Sequence, residues 1–268
     1  MLDRTAQSWE PKFATAAAEC FEQDKRELLA LLTEHYGKAL HRKATVNWTE
    51  YEVDVGAWLT EHADGRWRQT FAPLVQGVIT DQARNWEAAL GVQFDTVNLA
   101  SVAWFEDYML QFAQPITDTT RQGLTDLLAQ AQIEGWGMDK TRNAMGQVFR
   151  QWAEGDVPAG DLDFLQQRMP QYRREMIART ETIRASAAGS QSLFVDWGVQ
   201  QKQWLATRDG RTRDAHAAAD GQVREINEAF DIGGYKMMYP GDAGLGAPPS
   251  MFVNCRCALA PYFSEEAS

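Results

Sequence analysis

The chain has 268 residues, 44% of them hydrophobic, which is enough for one large or two smaller domains with a sizeable core. Its formal net charge of −11 argues against a general nucleic-acid coat, because phosphates repel such a surface on average. No apolar run approaches the ~18 residues of a membrane span, and the N-terminus lacks a secretory pattern, so we expect no membrane contact. Three cysteines fit a reducing compartment without a disulfide framework.

Apolar residues recur at helical spacing through almost all of the chain before Gly198. The predicted helices, in chain order, are Trp9–Leu40, Trp48–Glu61, Trp67–Leu90, Leu99–Ala113, Thr117–Glu134, Asp139–Trp152, Asp161–Met169 and Pro170–Ala188. We expect Asp64-Gly65 to separate the second helix from the third and Pro115 to end the fourth. Tryptophans spread along these helices are interpreted as bundle anchors or, alternatively, as a partner-facing groove.

The pattern changes after Gly198. Gln203–Thr207 is a β-compatible run, and Arg208-Asp209-Gly210 ends it as a turn because Gly tolerates positive φ. A helical turn follows from Asp214 to Ala219. The Gly- and Pro-rich stretch Gly233–Pro249 predicts an irregular loop, and Met251–Tyr262 a terminal strand.

These elements predict the α+β class: an elongated, mostly α-helical N-terminal region followed by a small, loop-rich α+β C-terminal domain. The helical region is expected to cover residues 1–197, with a sub-boundary near 91–98 and a linker at 153–160. The C-terminal domain is expected to cover residues 198–268.

A long loop stays ordered in a compact domain only if other groups hold it. One interpretation is a metal ion bound by His216, Cys255 and Cys257, because zinc takes Cys and His ligands. The alternative is that both cysteines are small buried residues and that His216 hydrogen-bonds to a carboxylate such as Asp209 or Asp214. The residues by themselves leave both interpretations open.

A series of motifs surrounds these residues and extends upstream. It consists of A-R-T-E-T-I-R-A at Ala178–Ala185, W-L-A-T-R-D-G-R-T-R-D-A-H at Trp204–His216, D-G-Q at Asp220–Gln222, Y-P-G-D at Tyr239–Asp242 and N-C-R-C at Asn254–Cys257. The series resembles the C-terminal domain of the phage Mu F-like minor head proteins, also called phage head morphogenesis proteins. The resemblance covers about Leu90 to Pro261 and is strongest from Ala178 onward.

The resemblance also bears on the metal. Family members with a four-ligand zinc site have Cys and His where this chain has Arg213 and Phe252, so the chain retains His216, Cys255 and Cys257, with Asp209 or water as a fourth ligand. Alternatively no cofactor is required, and Arg213 pairs with an acidic residue in a salt-bridged knot. The residues assigned to this knot are Asp209, Arg211, Arg213, His216, Asn254, Cys255, Arg256 and Cys257. In both cases we expect Asp209, Arg213, His216, Cys255 and Cys257 to converge in one pocket.

The resemblance implies a minor capsid protein of a tailed phage or prophage that acts in head assembly, DNA packaging or DNA delivery. Its expected partners are the portal protein, the major capsid protein and packaged DNA. Its expected location is the virion, in the capsid interior at the portal vertex, with host cytoplasm during assembly. Residues 168–224 contain ten Arg or Lys against six Asp or Glu. The candidates for DNA or portal contact in this basic stretch are Arg168, Arg173, Arg174, Arg179 and Arg184.

No Gly-rich nucleotide loop or Walker pattern occurs, so an enzyme is not favoured. The alternative function is a nucleotide- or phosphodiester-directed enzyme in which Glu181 acts as acid or base, Arg179 or Arg184 clamps phosphate, and His216 assists. The structural interpretation of the same residues is that Arg179 and Glu181 brace their helix against the C-terminal domain.

Overall fold

The structure is a computed structural model that describes residues 4–40, 48–91, 99–154 and 173–263. Its helices are α1 (Arg4–Leu40), α2 (Trp48–Trp58), α3 (Asp64–Leu90), α4 (Leu99–Glu134), α5 (Met138–Glu154), α6 (Arg173–Asp196), α7 (Asp214–Ala218) and α8 (Pro249–Phe252), with a π-helical turn at Leu59–Ala63. Its strands are β1 (Gln201–Leu205), β2 (Val223–Glu225), β3 (Phe230–Ile232), β4 (Tyr235–Met237) and β5 (Ala258–Tyr262). The expected α+β class is confirmed.

Two predicted helix breaks are wrong. Asp64-Gly65 lies inside a continuous helical run from Trp48 to Leu90, and Pro115 lies inside α4. Proline removes only one backbone hydrogen bond, and the turn around it is buried through Phe112 and Ile116, so tertiary packing outweighs the local break. Thr117, where a separate helix was expected to begin, lies inside α4 and donates its hydroxyl to the Asp64 carboxylate at 2.6 Å.

Helix α6 continues eight residues beyond its predicted end at Ala188. This stretch packs directly against α3, since a Cβ added at Gly189 would meet the Ile79 side chain at 3.4 Å, an ordinary van der Waals contact. The predicted helix Asp161–Met169 and its neighbour Pro170 lie outside the described residues.

The chain divides into two compact units. The first comprises Met1–Ala14, Ala72–Tyr108 and Glu175–Ser268, and the second comprises Thr15–Phe71 and Met109–Arg174. Helices α1, α3 and α4 contribute to both units, so this division differs from the predicted one at residue 197. The reason is that each helix is long enough to supply apolar side chains to more than one cluster.

The second unit has an aromatic core. The Phe21 ring lies 4.9 Å from the Trp67 ring and 5.6 Å from the Trp152 ring, and all three side chains are fully buried. Arg173 packs its guanidinium 4.5 Å from the Trp152 ring and donates to the Ile116 carbonyl. Arg173, which was predicted to contact DNA or portal, is only 2% exposed here, so protein groups enclose its guanidinium.

The first unit contains a three-stranded antiparallel sheet with the order β2-β1-β5 and a separate β3-β4 hairpin. Strand β1 pairs Gln201 with Tyr262 of β5 and with Glu225 of β2. Successive side chains of β1 point to opposite faces of the sheet, and the face that carries Lys202 and Trp204 is buried. The apolar core of the unit is Ala6, Ile183, Ala187, Phe194, Val199, Trp204, Ala206, Ala219, Phe230, Ile232, Met237, Ala247, Met251, Cys255, Cys257 and Leu259.

The predicted strands are partly wrong in extent. Strand β1 begins and ends two residues earlier than Gln203–Thr207, and Met251–Tyr262 divides into the end of α8, a turn and β5. Strands β2, β3 and β4 were not predicted, since three residues carry too little alternation to be recognised. Among the helices that the structure describes, none has the length and apolar character needed to span a membrane.

Lys202 supplies a pH-dependent contribution to stability. Its buried ammonium donates to the Gln191 side chain at 3.0 Å and to the Met238 carbonyl at 2.9 Å, and burial lowers the pKa of Lys202 to about 8. The folded pKa lies below the unfolded value of about 10.5, so the unfolded state binds more protons between these values and stability rises with pH there.

We therefore expect the wild-type protein to gain stability relative to Lys202→Met as the pH increases from 8 toward 10.5. Urea unfolding of both proteins at several pH values measures the difference between their free energies of unfolding. The other titrating groups are common to both proteins, so their contributions cancel in this difference. A difference that does not change with pH would contradict this assignment.

Candidate metal centre

His216, Cys255 and Cys257 form a buried cluster in the first unit. His216 lies on the short helix α7, and both cysteines lie in the segment between α8 and β5. Their candidate ligand atoms all lie within 4.8 Å of one another. His216 Nδ1 is 3.3 Å from Cys257 Sγ and 3.7 Å from Cys255 Sγ. Each of the three residues is at most 3% exposed.

Two cysteines separated by one residue can face the same ligand because side chains of extended backbone repeat every second residue. Here Cys255 and Cys257 point inward to His216. Arg256 between them points outward and forms a bidentate ion pair with Asp209, with N–O distances of 2.5 and 2.7 Å. This ion pair holds the pKa of Asp209 well below its usual value.

The spacing of the three residues fits zinc. With Zn–S near 2.3 Å and Zn–N near 2.0 Å, a tetrahedral site separates sulfur from nitrogen by about 3.6 Å. The distances from His216 Nδ1 to the two sulfurs, 3.3 and 3.7 Å, lie on either side of this value. His216 Nε2 is buried without a hydrogen-bond partner among the described residues, so the ring is held by packing and by its Nδ1 contacts.

The thiols also have the electrostatics of metal ligands. A hydrogen bond from Cys257 lowers the pKa of Cys255 well below its usual value, and the same contact raises the pKa of Cys257. The pair therefore stabilises one thiolate and disfavours a second one in the absence of a cation. Thiolate is the form that binds metal, and a divalent ion would favour it at both sulfurs.

Two of the five residues expected in this pocket have other partners. Asp209 is paired with Arg256, and Arg213 donates to the Val253 carbonyl at 2.5 Å; among the described residues no ion pair joins Arg213 to an acidic side chain. The group of candidate ligands therefore contains three of the five residues. The residues of the proposed knot divide accordingly: Arg211 and Arg256 group around Asp209 at the surface, and the histidine and cysteines group inside.

The segment that carries the cysteines is held by hydrogen bonds to its backbone. Thr207 donates its hydroxyl to the Arg256 carbonyl at 2.6 Å. Thr180 of α6 accepts from the Asn254 amide at 2.9 Å, and Arg179 donates to the Asn254 side chain at 3.1 Å. These contacts connect the upstream A-R-T-E motif to the N-C-R-C motif.

A second group of α6 residues holds the Y-P-G-D loop. Arg184 donates through Nε to the Gly241 carbonyl at 2.8 Å and contacts Glu181, which also accepts the Tyr108 hydroxyl. Glu181 is 7% exposed, so its carboxylate is enclosed by protein groups. These contacts fit the structural interpretation, in which α6 braces the C-terminal residues.

The sequence interpretation missed the aromatic part of this group. Trp104 stacks on Tyr108 with ring centroids 4.9 Å apart, and its indole donates to the Tyr239 hydroxyl at 3.0 Å. The signal available in the sequence was the i, i+4 spacing of Trp104 and Tyr108 on one helix face. Their partner Tyr239 lies more than 130 residues away, so spacing alone could not identify it.

Comparison with known proteins gives distant relatives. The chain is 27% identical over 154 residues to an NAD(+)–arginine ADP-ribosyltransferase, EFV, of Enterococcus faecalis, with 56% of this chain and 26% of that protein covered. It is 25% identical over 178 residues to the uncharacterized protein YqbB of Bacillus subtilis, with 63% and 51% covered. An uncharacterized Haemophilus influenzae protein is 27% identical over 124 residues, with 46% and 25% covered.

The chain thus spans about half of one of these relatives and about a quarter of the other two. No solved structure matches the chain. The family model described as phage Mu protein F-like protein matches residues 122–260, a range that contains α6, the Y-P-G-D loop and the three cluster residues. This match covers more than half of the chain, and the protein therefore belongs to the phage Mu protein F-like family of head morphogenesis proteins.

Proposed function

We propose that the protein is a minor capsid protein of a tailed phage or prophage that associates with the portal and major capsid proteins inside the head. In this role it acts in head assembly, DNA packaging or DNA delivery. The observation that supports the proposal is the family match over residues 122–260, which includes every motif of the C-terminal series.

Particle assembly tests this proposal. The protein is expected to co-purify with the portal protein of its phage and to be present in purified heads. Deletion of its gene is expected to lower the yield or the infectivity of particles. Normal particles from the deletion strain, together with no association with the portal, would exclude the proposed role.

We propose a further pair of cations for DNA contact beside Arg168 and Arg174, which stay predictions. Arg179 and Arg184 are engaged with protein groups, Arg173 is buried, and Arg168 lies outside the described residues. Arg208 and Arg211 in the turn after β1 have side chains that are 86% and 79% exposed.

If these two arginines meet phosphates, DNA affinity should fall about tenfold or more between low and physiological salt. The double variant Arg208→Gln/Arg211→Gln should bind more weakly and with a shallower salt dependence. The matched control is Arg84→Gln, because Arg84 is also exposed and paired with an aspartate. This variant is expected to leave the DNA affinity and its salt dependence unchanged. If the protein does not bind DNA, or binds it with an affinity that does not depend on salt, the result would favour a scaffold that contacts only proteins.

We further propose that His216, Cys255 and Cys257 hold a zinc ion. Water is a better fourth ligand than Asp209, because Asp209 is bonded to Arg256. Zinc would cross-link α7 to the segment before β5. The buried ligands support a structural role for the ion, although three protein ligands plus water is also the pattern of catalytic zinc.

The alternative of an enzyme that uses Arg179, Glu181 and His216 receives less support. The Glu181 carboxylate contacts Tyr108 and Arg184, and Arg179 pairs with Glu10 at 2.7 Å and binds Asn254. Acid–base catalysis needs a carboxylate that a substrate can reach. One relative is named an ADP-ribosyltransferase, but the chain covers only 26% of that protein.

A further inference from the structure

The residue before the first cysteine of the cluster has an unusual backbone conformation. Asn254 has φ of 60°, and within the described ranges it is the only residue other than glycine with a positive φ. Asparagine tolerates this left-handed region better than most residues, and β-branched residues do so poorly. The turn at Asn254 leads directly into Cys255, so its conformation determines the direction in which the chain presents the Cys255 thiol.

Helix α6 provides two contacts that hold this turn. The Thr180 hydroxyl accepts from the Asn254 amide at 2.9 Å, and Arg179 Nη1 donates to Asn254 Oδ1 at 3.1 Å. Arg179 is itself fixed, because its other terminal nitrogen pairs with Glu10 at 2.7 Å. Thr180 is 5% exposed, so water does not readily replace its hydroxyl as the partner of the amide.

The result of these contacts is visible at the cluster. Cys255 is 1% exposed, and its Sγ lies 3.7 Å from His216 Nδ1. Its own amide donates to the Phe252 carbonyl at 3.2 Å, which closes the turn around Asn254. A residue that fixes the backbone next to a ligand acts on metal affinity in the same way as groups that orient ligands from the outer shell.

We propose that Thr180 and Arg179 are positioning residues for the metal centre: they hold Asn254 in the left-handed conformation that directs Cys255 toward His216. This inference rests on the proposed zinc site. It assigns to the R-T pair of the A-R-T-E motif a role distinct from that of Glu181 and Arg184, which hold the Y-P-G-D loop.

The test compares two isosteric substitutions on the same helix in the full-length chain. Thr180→Val removes the hydroxyl that accepts from Asn254. Thr182→Val is the matched control, since Thr182 is also buried and its hydroxyl donates to the Ala178 carbonyl of α6 itself. Zinc affinity is measured by competition with a chromogenic chelator, and the ligand set is monitored through the visible absorption of the cobalt-substituted protein.

We expect Thr180→Val to weaken zinc affinity about 10- to 100-fold, the usual effect of losing an outer-shell partner. Thr180→Ser, which keeps the hydroxyl, should restore affinity, and Thr182→Val should leave affinity unchanged. The cobalt spectrum of Thr180→Val should show weakened thiolate charge transfer. A purely structural role would lower the melting temperature without this loss of affinity.

Asn254 offers a second pair of variants at an exposed position, which keeps the test valid if Thr180→Val does not fold. Asn254→Gly adopts positive φ freely and keeps the amide that Thr180 accepts from, so it should retain most of its zinc affinity and lose only the contribution of the Arg179 contact. Asn254→Val should lose much more affinity. Equal zinc affinity of the wild-type, Thr180→Val and Asn254→Val proteins would overturn the positioning role while leaving the metal centre intact. If the wild-type protein binds no zinc, the metal centre itself fails and this inference fails with it.

Discussion

Stripping zinc from the protein should lower its free energy of unfolding by about 4 kcal/mol when the comparison is made with free zinc a thousandfold above Kd. The ion binds three residues from separate parts of the chain, and the unfolded chain cannot present them together. Its binding energy therefore contributes to folding. Urea unfolding with and without a strong chelator measures the difference, and elemental analysis should find about one zinc per chain.

Cys257→Ser should abolish both the bound zinc and the effect of chelator. Cys20→Ser is the matched control: Cys20 is also buried, but it lies in the second unit and outside the cluster, so this variant should keep its zinc and its response to chelator. If chelator does not change the stability of the wild-type protein, the cluster is a hydrogen-bonded core without a metal. That outcome would exclude the zinc site.

Gly241→Ala should lower the free energy of unfolding by about 2–4 kcal/mol through positive-φ strain and overpacking. Gly241 has φ of +87°, a conformation that disfavours any residue with a Cβ. A Cβ added there would lie 3.1 Å from the Arg184 Cα and 3.3 Å from its backbone nitrogen. Backbone atoms of a helix cannot move away cheaply, so the loop would have to separate from α6 and lose the bond from Arg184 Nε to the Gly241 carbonyl.

Gly246→Ala distinguishes positive-φ strain from overpacking. Gly246 also has a positive φ of +80°, but a Cβ there meets nothing within 4 Å. This variant should lose only about 1 kcal/mol, the cost of the left-handed conformation. Thermal or urea unfolding of both variants gives the comparison. Equal losses would show that the close approach of the Y-P-G-D loop to α6 contributes nothing to stability.

Part of the cluster was predictable from residue types. His216, Cys255 and Cys257 are soft or borderline ligands of the kind that zinc prefers, and the motif series indicated that they belong to one domain. The roles of Asp209 and Arg213 were not predictable in this way. Both are charged residues near the cluster in sequence, but the outward direction of Arg256 brought Asp209 to the surface, and Arg213 reached a carbonyl rather than a carboxylate.

Local sequence was also a poor guide to where helices end. Pro115 and Asp64-Gly65 disfavour a helix locally, yet each lies within a continuous helical run. The cost of a local break is a few kcal/mol at most, and burial of the side chains on either side exceeds it. Such burial depends on residues that are distant in the chain, and helical spacing cannot identify them.

The sequence by itself determined the α+β class, the helical region before Gly198 and the family resemblance, and it included the three residues of the cluster among its five candidates. These properties follow from periodicity, residue chemistry and motifs, all of which are local or nearly so. Only the tertiary structure decided that α6 links the Asn254 turn to the Y-P-G-D loop, that Arg173 is buried and that Ala6 belongs to the same core as Trp204. Most of these contacts join residues separated by more than 50 positions, and which of the many compatible partners meet is settled by the packing of the whole unit.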